Sequence, residues 1–517
     1  MKYLLLSFST LFLMACSISV SEKRAEIDDE PHRPIYHFTP EKGWMNDPNG
    51  MVFYQGEYHL FYQYYPYATV WGPMHWGHAV SEDLVKWEHL PVALYPEANG
   101  MIFSGSAVID WNNTTGFGSE ERPPMVAIFT FHNMVREKTS QSDYQSQGIA
   151  YSLDKGRTWK MYEGNPVLPN QGIRDFRDPK VIWHKEGKRW VMVLAAKDRI
   201  QIFTSPNLID WEFASEFGVG SDPGLGVWEC PDLFPLKVHG TNEEKWVLII
   251  SHGVKEVSPN GGSCTRYYIG DFDGAEFKTE DPLEKYNWID FGKDNYAGVT
   301  WSDIPSDDGR RIFLGWMSNW QYAKIVPTKT YRSAMTIPRE LSIKDTDEGL
   351  RLFSNPVKEL ESLRNNETTL TPGEIEEYLL VESQSPDQSA LELEFELSSA
   401  SSRAFGIQLS NNLGEYVRIS YDKQSSMLVV DRSNSGKTNF TDDFKDLQYI
   451  PITYRRDKMK WSVFFDKSSV ELFVDGGRVS VTDTFFPNED FDELSLFSFD
   501  GKVRLISGKV YDLTNSL

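Results

Sequence analysis

Cysteine is nearly missing from this chain: 517 residues hold only three, Cys16, Cys230 and Cys264. That excludes a disulfide framework, so packing and hydrogen bonds must carry the fold. Apolar runs are just as scarce. Residues 3–15 form one, and nothing further along is long and apolar enough to cross a bilayer as a helix. Positive charge is in deficit, with 52 Lys and Arg against 75 Asp and Glu and a net charge of −23. Such a surface argues against nucleic acid or anionic lipid as a partner. No HExxH string occurs, His75, His78 and His132 lack metal-ligand spacing, and there is no glycine-rich phosphate loop. The residues therefore ask for no metal and no cofactor. Between residues 35 and 341 a long helical period is missing as well.

Aromatic side chains are plentiful, at 14% with 16 Trp. Such rings fill all-β cores and also offer flat faces to sugars. The N-terminus is a targeting signal rather than structure. Lys2, the apolar run and Leu13-Met14-Ala15-Cys16 read as a secretory signal whose end resembles a bacterial lipobox. Residues 1–15 are then a lipoprotein signal peptide, Cys16 the lipidated residue and 16–33 a flexible tether. This predicts an exported lipoprotein at the outer-membrane surface or in the periplasm of a Gram-negative bacterium. The lipid on Cys16 is its expected membrane contact.

From 34 to 345 the pattern is β throughout, short runs broken by Gly, Asp, Asn and Pro. A turn sequence repeats within it. Ser81-Glu82-Asp83-Leu84-Val85-Lys86-Trp87 returns as Ser205-Pro206-Asn207-Leu208-Ile209-Asp210-Trp211. A longer copy runs from Ser152 through Asp154 and Gly156 to Trp159, and an echo from Gly270 through Asp273 and Gly274 to Phe277. Repeats roughly 50 to 70 residues apart, each closing on an aromatic, predict a propeller of about five blades. Residues 346–371 read as a linker with a short helix, after which 372–517 alternate cleanly with period two. There Leu391, Leu393, Phe395 and Leu397 alternate with Glu392, Glu394 and Glu396, as in a sandwich strand with one wet face.

Three acid-bearing strings precede Pro-marked strands: Trp44-Met45-Asn46-Asp47-Pro48-Asn49-Gly50, Phe176-Arg177-Asp178-Pro179 and Trp228-Glu229-Cys230-Pro231. Taken singly, each has a plainer explanation: a capping Asp in a turn, a surface ion pair, or nothing at all. Equivalent blade positions of a propeller converge on one axial cavity, however, so Asp47, Asp178 and Glu229 are expected to meet. Carboxylates gathered in that way suit glycoside cleavage, in which one attacks and another donates a proton. Glu has the longer reach and the higher intrinsic pKa of the two acid types, which favours Glu229 as donor.

These strings resemble glycoside hydrolase family 32, the invertase, inulinase and levanase family. Phe103-Ser104-Gly105-Ser106, Trp76-Gly77-His78-Ala79, Asp290-Phe291-Gly292-Lys293-Asp294 and Pro338-Arg339-Glu340-Leu341 extend the resemblance over almost the whole chain. It implies a five-bladed propeller followed by a β-sandwich. It also implies Asp47 as nucleophile, Glu229 as general acid/base and Asp178 as transition-state stabiliser. Trp44, Asn46, Gln63, Trp71, Phe103, Ser104, Arg177 and Trp316 would bind the substrate, with Tyr322 a further candidate. Retention of configuration predicts Asp47 and Glu229 carboxyls about 5–5.5 Å apart. Cys230, beside the acid, is expected to be a free buried thiol. The implied activity is cleavage of β-D-fructofuranosyl bonds in fructans, fructo-oligosaccharides or sucrose, and the string 100–106 points to exo action. The polar insertion 136–147 could reshape the rim and favour endo action. A fructosyltransferase, an idle fructan-binding protein and an inverting arabinan-type hydrolase are the alternatives.

Overall fold

The computed structural model of the protein describes residues 30–221, 226–253, 258–381, 390–399, 401–454 and 458–514. The expected signal peptide 1–15, Cys16 and the tether up to residue 29 lie outside the described residues. Residues 30–33, read as tether, are instead docked. Glu30 accepts hydrogen bonds from the backbone of Lys329 and Thr330, and Tyr331 donates to the His32 carbonyl.

Five antiparallel sheets form the blades of a propeller, and a sixth, larger sheet follows. The inner strands of the blades are Gly43–Tyr54, Met101–Ile109, Phe176–His184, Trp228–Lys237 and Tyr296–Thr300. Tyr331–Arg332, from beyond the start of blade 5, pairs in parallel with Gly43 and Trp44 of blade 1 and ties the ring shut. The repeated turn sequence joins the third and fourth strands of blades 1 to 3. In it Asp83, Asp154 or Asn207 accepts backbone N–H groups through its side chain, and the closing Trp87, Trp159 or Trp211 donates its indole N–H back into the turn. Asp273 does the same for blade 4 without a Trp.

Every inner strand is irregular at the same level. Register shifts fall between Met45 and Pro48, Ile102 and Gly105, opposite Val193 to Ala195 in blade 3, between Glu229 and Asp232, and between Tyr296 and Val299. A bulge adds a residue on one strand and re-aims its side chain. Here the extra residues include Asp178, Cys230 and Ala297, all at positive φ (63, 44 and 53°).

The outermost strand of blade 5, Gly349–Pro356, lies inside the stretch read as linker, and Arg364–Thr369 already pairs with the last strand of the sandwich. The connection thus shrinks to 357–363, mostly the 3-10 turn Lys358–Leu363, which buries Leu360 and Leu363. In the C-terminal domain one long strand, Glu493–Leu513, runs through both layers. Its first half pairs with Ala404–Ser410 and its second with Leu391–Ser399, so a single hydrogen-bonded sheet folds over its own core. Leu391, Leu393, Phe395 and Leu397 are buried as the alternation predicts. Glu392, expected to be wet, is also buried, because Arg364 pairs with both of its oxygens at 2.7 and 2.6 Å.

The propeller meets the sandwich across a buried ionic network. Asp290 accepts from Arg339 at 2.8 Å and from the Thr482 N–H at 2.9 Å, and Arg339 also bonds Glu471. His37 lies between Asp466 (2.8 Å) and Glu471 (2.9 Å). Asp294 takes Arg432 at 2.7 Å and the Tyr322 hydroxyl at 2.7 Å. The strings around Asp290 and Arg339 therefore serve the junction between domains. Tyr322 belongs there too and not to a sugar pocket.

Candidate active site

Asp47, Asp178 and Glu229 line one cavity of about 330 Å³ at the propeller axis, each from a different inner strand. Asn46, Gln63, Trp71, Phe103, Ser104 and Arg177 line it with them.

Asp47 lies deep and is held by two donors. Ser104 Oγ donates to Oδ2 at 2.6 Å and Asn46 Nδ2 to Oδ1 at 3.0 Å. Burial raises its carboxyl above the ordinary range, and these two hydrogen bonds pull it back. Behind it, Trp44 donates its indole N–H to Asn46 Oδ1 at 2.7 Å and so fixes which end of that amide faces the acid. With its amide oriented to satisfy its neighbours, Asn49 accepts from the Gln63 backbone and side-chain N–H, both at 3.0 Å, and anchors that glutamine in the wall.

Asp178 is also buried. Its Oδ2 accepts the Cys230 N–H at 3.0 Å, while Arg177 Nε stands 3.9 Å away. Burial pushes its carboxyl up to about 7, with the charges of Glu229 and Asp47 adding to the rise and Arg177 opposing it. Cys230 Sγ sits 3.6 Å from both Asp47 Oδ2 and Asp178 Oδ2, a free thiol between two carboxyls. Burial, then those acids, drive the thiol well above its usual range, which keeps it protonated and inert.

Glu229 is the most accessible of the three, its side chain 23% exposed. Arg177 Nη2 donates to Oε1 at 2.7 Å and the Tyr296 hydroxyl bonds Oε2. Arg177 also reaches Asp175 at 2.7 Å, and Asp175 in turn accepts the Tyr144 hydroxyl at 2.9 Å. One guanidinium thus orders three acids. Two residues further along the strand from Asp178, Lys180 Nζ donates to the Thr300 carbonyl at 2.6 Å and pairs with Asp232 at 3.2 Å, joining three inner strands.

Two residues expected to touch substrate do not line the cavity. Trp44 and Trp316 are fully buried behind its wall, in a cluster with Tyr296 and Cys230. Their strand positions were legible, but not which face each indole takes. Trp320 lines the cavity instead, its ring 4.9 Å from Trp316 and 5.9 Å from Trp44. Lys324, His132, Glu137, Tyr144, Gln145 and Asp175 join the wall unforeseen, as does Tyr296 through Glu229. Several of these come from the polar insertion. Its short helix Met134–Lys138 is capped by Asn133 and brings Glu137 within 3.0 Å of His132 at the rim. Asp175 carried a signal, standing two residues before Arg177 in one string, and Glu137, Tyr144 and Gln145 lie in the insertion 136–147 that was expected at the rim.

Comparisons with known proteins place nearly the whole chain in one family. The family models for the glycosyl hydrolases family 32 N-terminal domain and C terminal match residues 37–356 and 359–512. A levanase from Bacillus subtilis (strain 168) is 49% identical over 522 residues, spanning 99% of this chain and 75% of that protein. The crystal structure of an exo-inulinase from Aspergillus awamori superposes with a TM-score of 0.85 at 35% identity, over 95% of this chain and 99% of that one. A fructofuranosidase from Schwanniomyces occidentalis, complexed with fructosylnystose, gives a TM-score of 0.84 at 32% identity, over 94% and 98% of the two chains.

Proposed function

The chain belongs to family 32 of the glycosyl hydrolases, and on that premise we propose a retaining β-fructosidase that removes fructose from the ends of levan, inulin or fructo-oligosaccharides, with sucrose a further substrate. One observation carries the reading. A buried, doubly hydrogen-bonded Asp47 and a more accessible, Arg-paired Glu229 face one axial cavity together with Asp178.

Asp47 attacks the anomeric carbon of the terminal fructosyl unit while Glu229 gives its proton to the departing glycosidic oxygen. The bond to the leaving sugar breaks as the ester to Asp47 forms. Glu229 then takes a proton from water, whose oxygen attacks the same carbon and frees Asp47. Two inversions leave the configuration retained. The exposure of Glu229 suits a group that must regain a proton from solvent each turn. Asp178, on the opposite side of Cys230 from Asp47, binds fructose hydroxyls and steadies the positive charge that develops on the ring. Exo action is favoured by the string 100–106 and by the likeness to an exo-inulinase.

Product profiles from inulin, levan and sucrose test this. Fructose is the expected first product, and a ladder of oligosaccharides would refute exo action. Asp47→Ala should lose at least about a thousandfold in rate. Glu229→Ala should lose least on fructosyl fluoride, whose leaving group needs no proton, with release of the covalent intermediate becoming the slow step. No fructose from any of the three substrates would sink the reading as a whole. Export and lipidation are part of the proposal: radiolabelled palmitate should enter the wild-type protein and not Cys16→Ser.

A further inference from the structure

Outside the cavity, blade 1 carries aromatic rings that its core does not need. Tyr67 is 73% exposed and Tyr95 53%. They belong to a continuous series: Tyr65 to Tyr67 (5.6 Å between centroids), Tyr67 to His75 (5.9 Å) and His75 to Tyr95 (5.4 Å), each pair edge to face. The series is held from below. Gly72 lies so close against the Tyr65 ring that a Cβ there would stand 2.7 Å from it, and the Pro73 carbonyl fixes His75 Nδ1 at 2.8 Å.

Strand register sets where these rings stand. Trp44 pairs with Tyr65, Tyr64 with His75 and Trp76 with Leu94, so all lie at the Asp47 end of blade 1. Trp71, which lines the cavity, is the residue before Gly72. The rings therefore lead from the cavity wall outward over the blade. We propose that they form a second binding surface, which stacks the furanose rings of a fructan chain whose end occupies the cavity.

The occupant follows from that continuity and from ring chemistry. A polymer whose end sits beside Trp71 in the cavity leaves across the neighbouring surface, where Tyr67 and Tyr95 are exposed. His75 is buried and holds the series from within, while the exposed Tyr67 and Tyr95 each put a hydroxyl on an apolar ring, which matches a sugar with C–H faces and a hydroxyl edge. Exposed apolar patches of this kind mark binding surfaces. The inference rests on the β-fructosidase reading for its ligand, but not for its location.

The test uses the full chain and the double variant Tyr67→Ala/Tyr95→Ala. KM for long-chain levan or inulin should rise by about three- to tenfold. kcat/KM for sucrose should stay within about twofold, which also reports intact folding, and Tyr67→Trp should keep the parental KM on polymer. Retardation in native gels containing levan or inulin, run in an Asp47→Ala background, reads binding without turnover, and the double variant should be retarded less. Equal behaviour of parent and variant on polymer and in gels overturns the proposal. So does a dimer that the substitutions convert to monomer, because the rings would then be a contact between copies. Weakened retardation from a parent that releases no fructose would support the surface and refute the catalytic reading instead.

Discussion

Asp178 combines two conditions that ordinarily disfavour a carboxylate: left-handed backbone, with φ at 63°, and a buried position beside two other acids. Asp and Asn tolerate that backbone better than other side chains with a Cβ, which restricts what the position can hold. Its carboxyl rises from 3.8 unfolded to about 7 folded, chiefly through burial. A raised acid binds its proton more tightly in the folded state, so stability falls as pH climbs from about 4 to about 7. Asp178→Asn removes that penalty while keeping an acceptor for the Cys230 N–H. The variant should melt above wild type near pH 8, by on the order of 1–3 kcal/mol, and match it near pH 4. Calorimetry at the two pH values checks this, and lower stability near pH 8 would refute it. Turnover should be lost at both, so the gain in stability comes at the site's expense. Cys230 makes a second test at this scale. Its thiol, raised by burial, should resist iodoacetamide in the native protein near pH 8 and react once the chain is unfolded.

The turns and bulges divide what was legible in the sequence from what was not. The repeated Ser-x-Asp/Asn string announced blades because its side chains do a fixed local job, capping backbone N–H groups where the third strand turns into the fourth. Asp83 Oδ1 accepts from Val85 at 2.9 Å and Lys86 at 2.8 Å, and Asn207 Oδ1 repeats this with Ile209 at 3.0 Å and Asp210 at 2.9 Å. Asp83→Ala and Asn207→Ala should each cost about 1–2 kcal/mol, and being distant they should add in the double variant. Urea denaturation of the three proteins measures it, and a double variant no less stable than either single one would contradict independent caps. The acids were legible for a related reason: Pro and Gly mark the start of each inner strand. The bulges left no mark, since Asp178, Cys230 and Ala297 share no composition, only a place where the neighbouring strand falls out of step. Trp44 and Trp316 went to the wrong side of the wall for the same reason. Composition shows that an indole is present, whereas bulged register decides whether it faces sugar or core. Glu137, Tyr144 and Trp320 came from rim segments whose approach to the axis depends on long-range packing.

At the scale of the molecule, the propeller and sandwich are joined by charges that carry no water-facing surface, and their strength depends on pH. Burial opposes a charged His37, but its bonds to Asp466 and Glu471 outweigh that and hold the imidazole up to about 9, against 6.5 when unfolded. Arg339 and Asp290 complete the ring of facing charges, with Arg339 on Glu471 and Asp290 on Arg339. A histidine with a raised folded pKa stabilises fully below its unfolded value, and that contribution disappears as pH rises through the folded one. The junction should therefore be strongest below about pH 6.5 and weaken through about pH 9. Removing the imidazole leaves Asp466 without its cation, so His37→Gln should cost on the order of 2 kcal/mol near pH 6. That cost should shrink towards zero near pH 10, where wild type has lost the proton as well. Thermal melts of wild type and His37→Gln across this range isolate the effect, since the titrating groups that do not touch His37 are common to both and cancel in the difference. A gap between the curves that stayed constant from pH 6 to pH 10 would mean that His37 acts by shape alone. A gap that closes places the proton on His37 as a link between the segment that leads into the propeller and the sandwich acids Asp466 and Glu471.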